Sequence, residues 1–432
     1  MRYLLVFLLF SISSIGQIKS NLSQEVCVDS VYNQLSFDEK IGQLFMVAAY
    51  SNKDEAHNKS IDKLIEDNKI GGLIFFQGGP VRQAKLTNRY QAKSKVPLFI
   101  GIDAEWGLSM RLDSTYRYPW NMTLGAVQDM KLIEKAGNQM AKQSKRMGIH
   151  FNFAPVVDIN TNPKNPIIGN RSFGETKENV TLRALALMKG LQDEGVYATA
   201  KHFPGHGDTS TDSHHTLPSV QFDKSRLDEV ELYPYKELIK NGLTSIMVAH
   251  LNVPSLEPRE NYPTSISYNV VTNILKNELQ FNGLIFTDAL NMKGASNFKK
   301  PGDIDLEAFL AGNDILLFAE NVPVAIKKFN EAKADGRLTE DRLAYSVKKI
   351  LAYKYKANLQ NYQPIVLENL YRDLNAIEYE ALNYQLYENA VTVIKNETKS
   401  IPLAKKNKEK INAYKEKNKE KVPANQEIYD RV

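Results

Sequence analysis

Eight short apolar runs recur between residues 44 and 318, and polar stretches of helical character separate them. Each run is continuous rather than alternating in polarity, which is typical of parallel strands that are buried on both faces. Eight strand-and-helix units in one stretch of chain favour a closed (β/α)8 barrel over an open sheet. The predicted strands are 44–49, 70–76, 97–102, 149–157, 197–200, 245–249, 283–286 and 314–318.

The intervening stretches have the periodicity of amphipathic helices, most clearly at 130–147 and 179–195. Ser36, followed three residues later by Glu39, predicts a capping box at the start of the first helix. No Gly-x-Gly-x-x-Gly follows the first predicted strand, which argues against a dinucleotide-binding fold. We therefore predict an α/β protein whose TIM barrel occupies residues 33–355, with its last amphipathic helix at 340–354.

The two ends of the chain differ from the barrel. Residues 1–20 combine Arg2, an apolar run and small residues, which predicts a signal peptide and a secreted or periplasmic protein without an integral membrane segment. Residues 356–390 are interpreted as a linker with helical content, followed by a strand at 390–394 and a turn at Pro402. Residues 404–432 are predicted to be a solvated, Lys-rich tail.

Composition excludes several function classes. The chain has 55 Lys and Arg against 50 Asp and Glu. Because nine of the basic and five of the acidic residues fall in 401–432, the body is almost neutral and lacks the basic face of a nucleic-acid-binding domain. Cys27 is the single cysteine, so an internal disulfide, a cysteine-based structural zinc site and an iron–sulfur cluster are excluded. Glu25 and Val26 stand where a lipid-anchored cysteine would want small residues.

Polar side chains follow the predicted strands at the points where the strands end. In a barrel these points all lie at the C-terminal rim, where active sites are built, so their convergence favours a functional interpretation over loop capping. They are Asp103, Asp158, Lys201, His202, His250 and Asp288.

Four of the seven histidines lie in a Gly- and Pro-containing loop at 201–215. One interpretation is a metal site built from His202, His206, Asp208 and His214. Another is acid–base catalysis, because Asp212 and His214 share a face of an extended segment and could hydrogen-bond, which would raise the imidazole pKa. A third is a purely structural loop, which is the preferred interpretation for His215.

Several segments resemble the glycoside hydrolase family 3 β-N-acetylglucosaminidases of bacteria. Residues 201–214 are similar to the catalytic loop of that family, and Gly-Ile-Asp-Ala-Glu at 101–105 is similar to its Asp-x-Glu-Gly segment. Residues 152–158 with 168–174 resemble its fourth-strand signature, and 286–292 resemble its nucleophile strand. The resemblance covers about residues 33–355, with one departure: Trp106 stands where the family commonly has a second glycine. Larger members of the family carry a second domain after the barrel, so the resemblance implies that residues 356–403 are a linker and the start of a truncated second domain.

The resemblance implies a role for individual residues. Asp288 would be the nucleophile that forms a covalent glycosyl–enzyme, and His214, oriented by Asp212, would be the acid/base. The hydroxyl groups of a carbohydrate substrate would be bound by Asp103, Arg171, Lys201 and His202. Asp158 is interpreted as structural, and His206 and Asp208 as residues that shape the loop.

We therefore expect a retaining exo-β-N-acetylglucosaminidase that acts on peptidoglycan fragments or chitooligosaccharides and needs no cofactor or metal. The alternatives are a family 3 β-glucosidase, a metal-dependent hydrolase and a non-catalytic sugar-binding barrel. The Asp-Ser-His loop argues against the first, and the presence of both Asp288 and His214 argues against the last. Whether water or phosphate accepts the glycosyl group stays open.

Overall fold

The computed structural model describes residues 23–211 and 216–397. Eight strands form the centre of the molecule, and each coincides with one of the eight apolar runs, so the predicted strand count and positions are confirmed. The strands are β1 (Phe45–Ala49), β2 (Gly72–Phe75), β3 (Phe99–Ile102), β4 (Phe151–Asn152), β5 (Tyr197–Phe203), β6 (Ser245–Val248), β7 (Leu284–Thr287) and β8 (Leu316–Leu317).

All of the strands are parallel, and their order is β7-β6-β5-β4-β3-β2-β1-β8. Strands β7 and β8 are joined by a β-bridge between Phe286 and Ile315. Thr287 N also donates a backbone hydrogen bond of 3.1 Å to Ile315 O. The sheet is thereby brought round into a nearly closed barrel, which confirms the predicted (β/α)8 fold.

Helices surround the barrel. The α-helices are α1 (Phe37–Gly42), α2 (Glu55–Asn68), α3 (Pro80–Lys93), α4 (Asn121–Ala126), α5 (Met130–Arg146), α6 (Lys177–Asp193), α7 (Lys224–Arg226), α8 (Tyr233–Lys240), α9 (Lys293–Ser296), α10 (Asp303–Ala311), α11 (Val322–Ala334), α12 (Glu340–Lys356), α13 (Leu370–Leu374) and α14 (Ile377–Ala390). Two segments have π-helical geometry, Leu227–Glu231 and Asn269–Glu278. Short 3₁₀ turns lie at Leu108–Met110, Gly169–Arg171, Thr264–Ile266 and Leu359–Asn361. Residues 23–33, before α1, are also helical. The predicted capping box of α1 is present: Ser36 and Glu39 each bond the other's backbone N–H.

Aromatic side chains fill the barrel and set the direction of the residues above them. Phe151 of β4 and Phe153 lie 5.1 and 5.3 Å from Phe286 of β7, ring centroid to ring centroid. Because β4 and β7 are not neighbours in the sheet, these rings meet inside the barrel. Side chains two residues apart on a strand share a face, so Asp288 belongs to the inward-facing layer above Phe286.

The segment after α12 packs against the barrel instead of extending away from it as a loose linker. The side-chain amide of Asn88 bonds both backbone groups of Ile365, at 2.8 and 2.9 Å. Gln143 Nε2 donates to Leu374 O at 2.9 Å, and Leu374 is buried. Residues up to Ala390 therefore belong to the same compact unit as the barrel.

The strand predicted at 390–394 is wrong. Helix α14 ends at Ala390, and residues 391–396 have no regular secondary structure. A strand exists only by pairing with another strand, whereas Val391 and Ile394 are 77% and 95% exposed. The predicted signal peptide, the Pro402 turn and the Lys-rich tail lie outside the described residues. Among those that are described, no helix has the length and apolarity needed to cross a membrane.

Candidate active site

The parallel strands deliver the predicted sugar-binding residues to one end of the barrel. Asp103 follows β3, Lys201 and His202 lie in β5, and Arg171 ends the 3₁₀ turn between β4 and α6. Asp103 contacts Lys201 and Arg171 contacts His202, and Glu105 links the two pairs, so the structure brings the predicted binding residues together.

The centre of the site is a buried ion-pair cluster. Lys201 Nζ lies 2.7 Å from Asp103 Oδ1 and 2.8 Å from Glu105 Oε1. Arg171 binds Glu105 through two hydrogen bonds, of 3.0 and 2.8 Å. Arg111 Nη2 lies 2.6 Å from Asp103 Oδ2. Three cations therefore face two carboxylates, and sequence reasoning had assigned roles to neither Glu105 nor Arg111.

Both carboxylates are ionised because of these cations. Burial alone would raise the pKa of Asp103, but Lys201 and Arg111 outweigh it and hold that pKa well below its usual range. Burial likewise opposes ionisation of Glu105, and Arg171 and Lys201 nevertheless lower its pKa to about 2. Their charges in turn keep the three cations fixed in position.

His202 is held between two partners. Its Nδ1 lies 2.7 Å from Asp158 Oδ2, and its Nε2 lies 3.3 Å from Arg171 Nη2. Asp158 Oδ1 also accepts hydrogen bonds from the backbone N–H groups of His202 and His206, at 3.2 and 2.7 Å. Asp158 therefore orients the imidazole and the chain around it, which agrees with its interpretation as a structural residue.

Asp288 comes directly after β7 and is half-buried. Burial opposes its ionisation, but His202, His250, the N–H of Ala289 and Lys201 together lower its pKa below the usual value. The bond from Ala289 N to Asp288 Oδ1 is 2.8 Å. An ionised carboxylate thus lies beside the ion-pair cluster, as a nucleophile requires.

His250 fixes the backbone next to Asp288. It is buried, its Nδ1 lies 2.6 Å from Ser265 Oγ, and its Nε2 lies 3.0 Å from the carbonyl oxygen of Ala289. Its place at the end of a strand indicated a rim residue, but its two partners come from separate loops and could not be inferred from spacing.

The first part of the histidine loop is clamped by the loop after β4. Asn165 Nδ2 donates to the carbonyl oxygens of His206 and Gly207, at 2.8 and 3.0 Å. Thr209 Oγ1 lies 2.6 Å from His206 Nδ1, and Thr161 Oγ1 lies 3.1 Å from Asp208 Oδ1. His206 and Asp208 thus shape the loop. The predicted acid/base pair, Asp212 and His214, lies outside the described residues.

An open cavity of about 370 Å³ borders the ion-pair cluster, and Arg111 belongs to its wall. The other polar residues that line the cavity are Asn52, Gln77, Arg82, Ser109 and Asp113.

A metal site is one interpretation of the histidine loop. Within the part of the chain that the structure describes, no three or more His, Cys, Asp or Glu side chains are grouped in a way that could hold a metal ion.

Comparison with known proteins places this geometry in a family. Residues 36–353 match the glycosyl hydrolase family 3 N-terminal domain. β-Hexosaminidase A of Pseudoalteromonas piscicida is 34% identical over 373 residues, which are 78% of this chain and 61% of that protein. The chain therefore spans less than two thirds of that relative's length.

Solved structures agree with the sequence comparison. A glycoside hydrolase family 3 β-N-acetylglucosaminidase from Paenibacillus sp. str. FPU-7 has a TM-score of 0.77 and 36% identity, covering 84% of this chain and 70% of that one. A β-glucoside phosphorylase has a TM-score of 0.82 and 26% identity, covering 89% and 70%. With most of its length matched by the family's domain, the chain belongs to glycosyl hydrolase family 3.

Proposed function

We propose that this protein is a retaining exo-β-N-acetylglucosaminidase. The observation that carries the proposal is the ionised carboxylate of Asp288 at the barrel mouth, beside a fixed cluster of charged donors and acceptors. The names of relatives support the substrate class: β-hexosaminidase A in Pseudoalteromonas piscicida and a family 3 β-N-acetylglucosaminidase in Paenibacillus.

In the first half-reaction, Asp288 attacks the anomeric carbon and the glycosidic bond breaks as the covalent glycosyl–enzyme forms. His214, oriented by Asp212, gives a proton to the departing oxygen. In the second half-reaction His214 takes a proton from water, whose oxygen displaces Asp288 and restores the β configuration.

The ion pairs leave specific atoms for the sugar. An ammonium group has three N–H bonds, and Lys201 donates one of them to Asp103 while it forms an ion pair with Glu105, so it can still donate to a hydroxyl group. Each carboxylate oxygen has two lone pairs, so Asp103 can accept from a sugar hydroxyl while it keeps its cations. Arg171 and His202 border the same space.

The names of two relatives raise two alternatives: a β-glucoside as the substrate, and phosphate instead of water as the acceptor of the glycosyl group. A Cellulomonas fimi protein, 25% identical over 389 residues, is named β-N-acetylglucosaminidase/β-glucosidase, and one structural relative is a β-glucoside phosphorylase. We propose N-acetylglucosaminide as the preferred substrate and water as the acceptor. We further propose that residues 1–20 direct secretion, and that the natural glycans are peptidoglycan fragments or chitooligosaccharides.

A panel of nitrophenyl glycosides, with and without phosphate, tests the proposal. We expect cleavage of the β-N-acetylglucosaminide with retention, far faster than that of the β-glucoside, and at a rate independent of phosphate. Asp288→Asn should reduce turnover by at least about three orders of magnitude. A faster glucoside rate, or near-normal turnover of the Asp288→Asn variant, would reject the substrate or the nucleophile respectively.

His214→Ala tests the acid/base assignment, with His215→Ala as the neighbouring control. General acid–base catalysis contributes about 10²–10⁴-fold, so cleavage of N,N′-diacetylchitobiose should fall by that factor in His214→Ala. Nitrophenolate leaves without a proton, so its release in the first half-reaction should suffer much less, and the glycosyl–enzyme should accumulate. Equal slowing of both substrates without an intermediate would remove His214 from this role.

A further inference from the structure

The only two tryptophans of the chain form a closely packed, tilted pair. The ring centroids of Trp106 and Trp120 are 4.1 Å apart, with an interplanar angle of 41°, and both side chains are half-buried. Large aromatic rings contribute most when they are buried, so a partly exposed pair at the edge of a polar site needs an explanation.

Each tryptophan is the chain neighbour of a residue that contacts the ion-pair cluster. Trp106 follows Glu105, whose carboxylate binds Arg171 and Lys201. Trp120 precedes Asn121, whose Nδ2 donates to the carbonyl oxygen of Arg171 at 2.7 Å. The backbone at both tryptophans is therefore tied to the residues that hold Arg171 and Lys201.

The backbone holds Trp106 in one position. Gly107 has a φ of 87°, which favours glycine, and a Cβ there would lie 2.7 Å from the ring of Tyr118. Tyr118 N donates to Trp106 O at 3.1 Å, and Gly107 N donates to Ala104 O at the same distance. The surface is thus preformed rather than dependent on a moving loop.

Trp120 is the aromatic neighbour of Trp106. Trp120 contacts a second residue, Arg117, whose guanidinium lies 5.3 Å from the ring centroid. Among the described residues Trp106 has no aromatic or cationic neighbour except Trp120, so part of its indole surface remains accessible. Two rings are too small a surface for a stable protein interface but match the area of one pyranose.

We propose that Trp106, backed by Trp120, is a stacking surface for a β-linked sugar unit on the leaving-group side of the scissile bond. The C–H groups on the face of a β-linked pyranose form an apolar surface, while its hydroxyl groups stay in the ring plane. The indole of Trp106 offers a flat apolar face for the C–H groups. Arg117, which is exposed and lies beside Trp120, offers N–H donors for the hydroxyl groups.

The placement of this surface on the leaving-group side of the scissile bond rests on the proposed exo-glycosidase function. An exo-enzyme holds only the terminal unit among its catalytic residues, so every other unit of the glycan lies toward the leaving group. An aromatic surface outside the cluster can then meet only those units.

Intrinsic fluorescence gives a direct binding test, because both tryptophans of the chain belong to the pair. The Asp288→Asn variant, in which substrate is not turned over, is titrated with N,N′,N″-triacetylchitotriose and separately with N-acetylglucosamine. We expect saturable changes in emission with the trisaccharide that exceed those with the monosaccharide. Equal responses to both sugars, or none to the trisaccharide despite its binding by calorimetry, would overturn the proposal.

Kinetics separate this role from a structural one. Aromatic contacts contribute about 0.5–1.5 kcal/mol, so Trp106→Ala should lower kcat/KM for triacetylchitotriose by roughly two- to tenfold relative to β-N-acetylglucosaminyl fluoride, whose leaving group has no ring to stack, and mainly through KM. Trp106→Phe should restore most of the ratio, and Tyr384→Ala, which removes an exposed aromatic ring of α14, should not change it.

The outcomes distinguish the two proposals. If the unaltered protein cleaves no β-N-acetylglucosaminide, the proposed function fails and so does the choice of side. If it does cleave them and Trp106→Ala changes both substrates equally, or neither, the stacking surface is refuted while the catalytic proposal stands.

Discussion

Glu105→Gln is expected to destabilise the protein strongly, although it replaces a side chain with one of nearly the same shape. The Glu105 side chain is fully buried and lies 2.8 Å from both Lys201 Nζ and Arg171 Nη2. Removal of its charge leaves two buried cations short of a carboxylate. Breaking a buried ion pair in this way costs about 3–5 kcal/mol.

The pKa of Glu105 gives a second route to the magnitude. Its value falls from 4.5 to about 2 in the folded protein. At 1.36 kcal/mol for each pKa unit, the ionised carboxylate contributes about 3 kcal/mol. Because the folded pKa is depressed, this stability is fully present above about pH 4.5 and is lost as the pH falls toward 2.

Urea unfolding at pH 7 measures the effect through the shift of the transition midpoint at constant m. Glu55→Gln is the matched control: Glu55 also binds an arginine, Arg89, but its side chain is 54% exposed. An exposed pair contributes at most about 1 kcal/mol. If Glu105→Gln costs no more than Glu55→Gln, or if the difference between them persists unchanged at pH 3, the reasoning from burial and charge is refuted.

Two further predictions concern the bottom of the barrel and the histidine loop. Burial lowers the pKa of Lys354 to about 7, so between about pH 7 and 10.5 only the unfolded state keeps this proton and the free energy of unfolding should rise with pH. In urea titrations Lys354→Met should remove up to about 5 kcal/mol of that rise, whereas Lys356→Met, at an exposed position, should retain it. A Cβ on Gly207 would lie 1.8 Å from Ile159 O, so Gly207→Ala should displace the histidine loop and reduce kcat/KM on diacetylchitobiose about 10²-fold. Gly242→Ala strains the backbone at a φ of 82° but meets no neighbouring atom, so it should cost stability and leave kcat/KM within about twofold; similar kcat/KM values for the two variants would contradict the clamp.

The barrel could be predicted because burial on both faces leaves a clear pattern in the sequence. The boundaries were less predictable where pairing is interrupted. The apolar run at 149–157 predicts one long strand, but β4 spans only Phe151–Asn152, and a separate bridge joins Val156 to Lys201. Pro155 lies between the two and has no N–H to donate, so the regular ladder is interrupted there, although its carbonyl oxygen accepts from Lys201 N at 3.2 Å.

The positions of site residues could be predicted where those residues come at the ends of strands. They could not be predicted where a loop folds back and brings a side chain to the site. Asp103, Lys201 and Asp288 take their positions from β3, β5 and β7, whose parallel alignment fixes one common rim. Arg111, in contrast, reaches Asp103 only because the loop after β3 turns at Gly107, which has a φ of 87°. No periodicity in the sequence reports such a turn.

The cluster also changes what its cations can do. From the sequence, Arg171 and Lys201 are charged groups that could attract an anionic ligand. In the structure Glu105 binds both, so they present directed N–H donors with little uncompensated charge. Directed donors suit the hydroxyl groups of a neutral sugar. The ionised form of Asp288 is favoured mainly by His202 and His250, with a smaller contribution from Lys201. The ion pairs and the two histidines therefore act together in the proposed function: the first suit a neutral substrate, and the second a charged nucleophile.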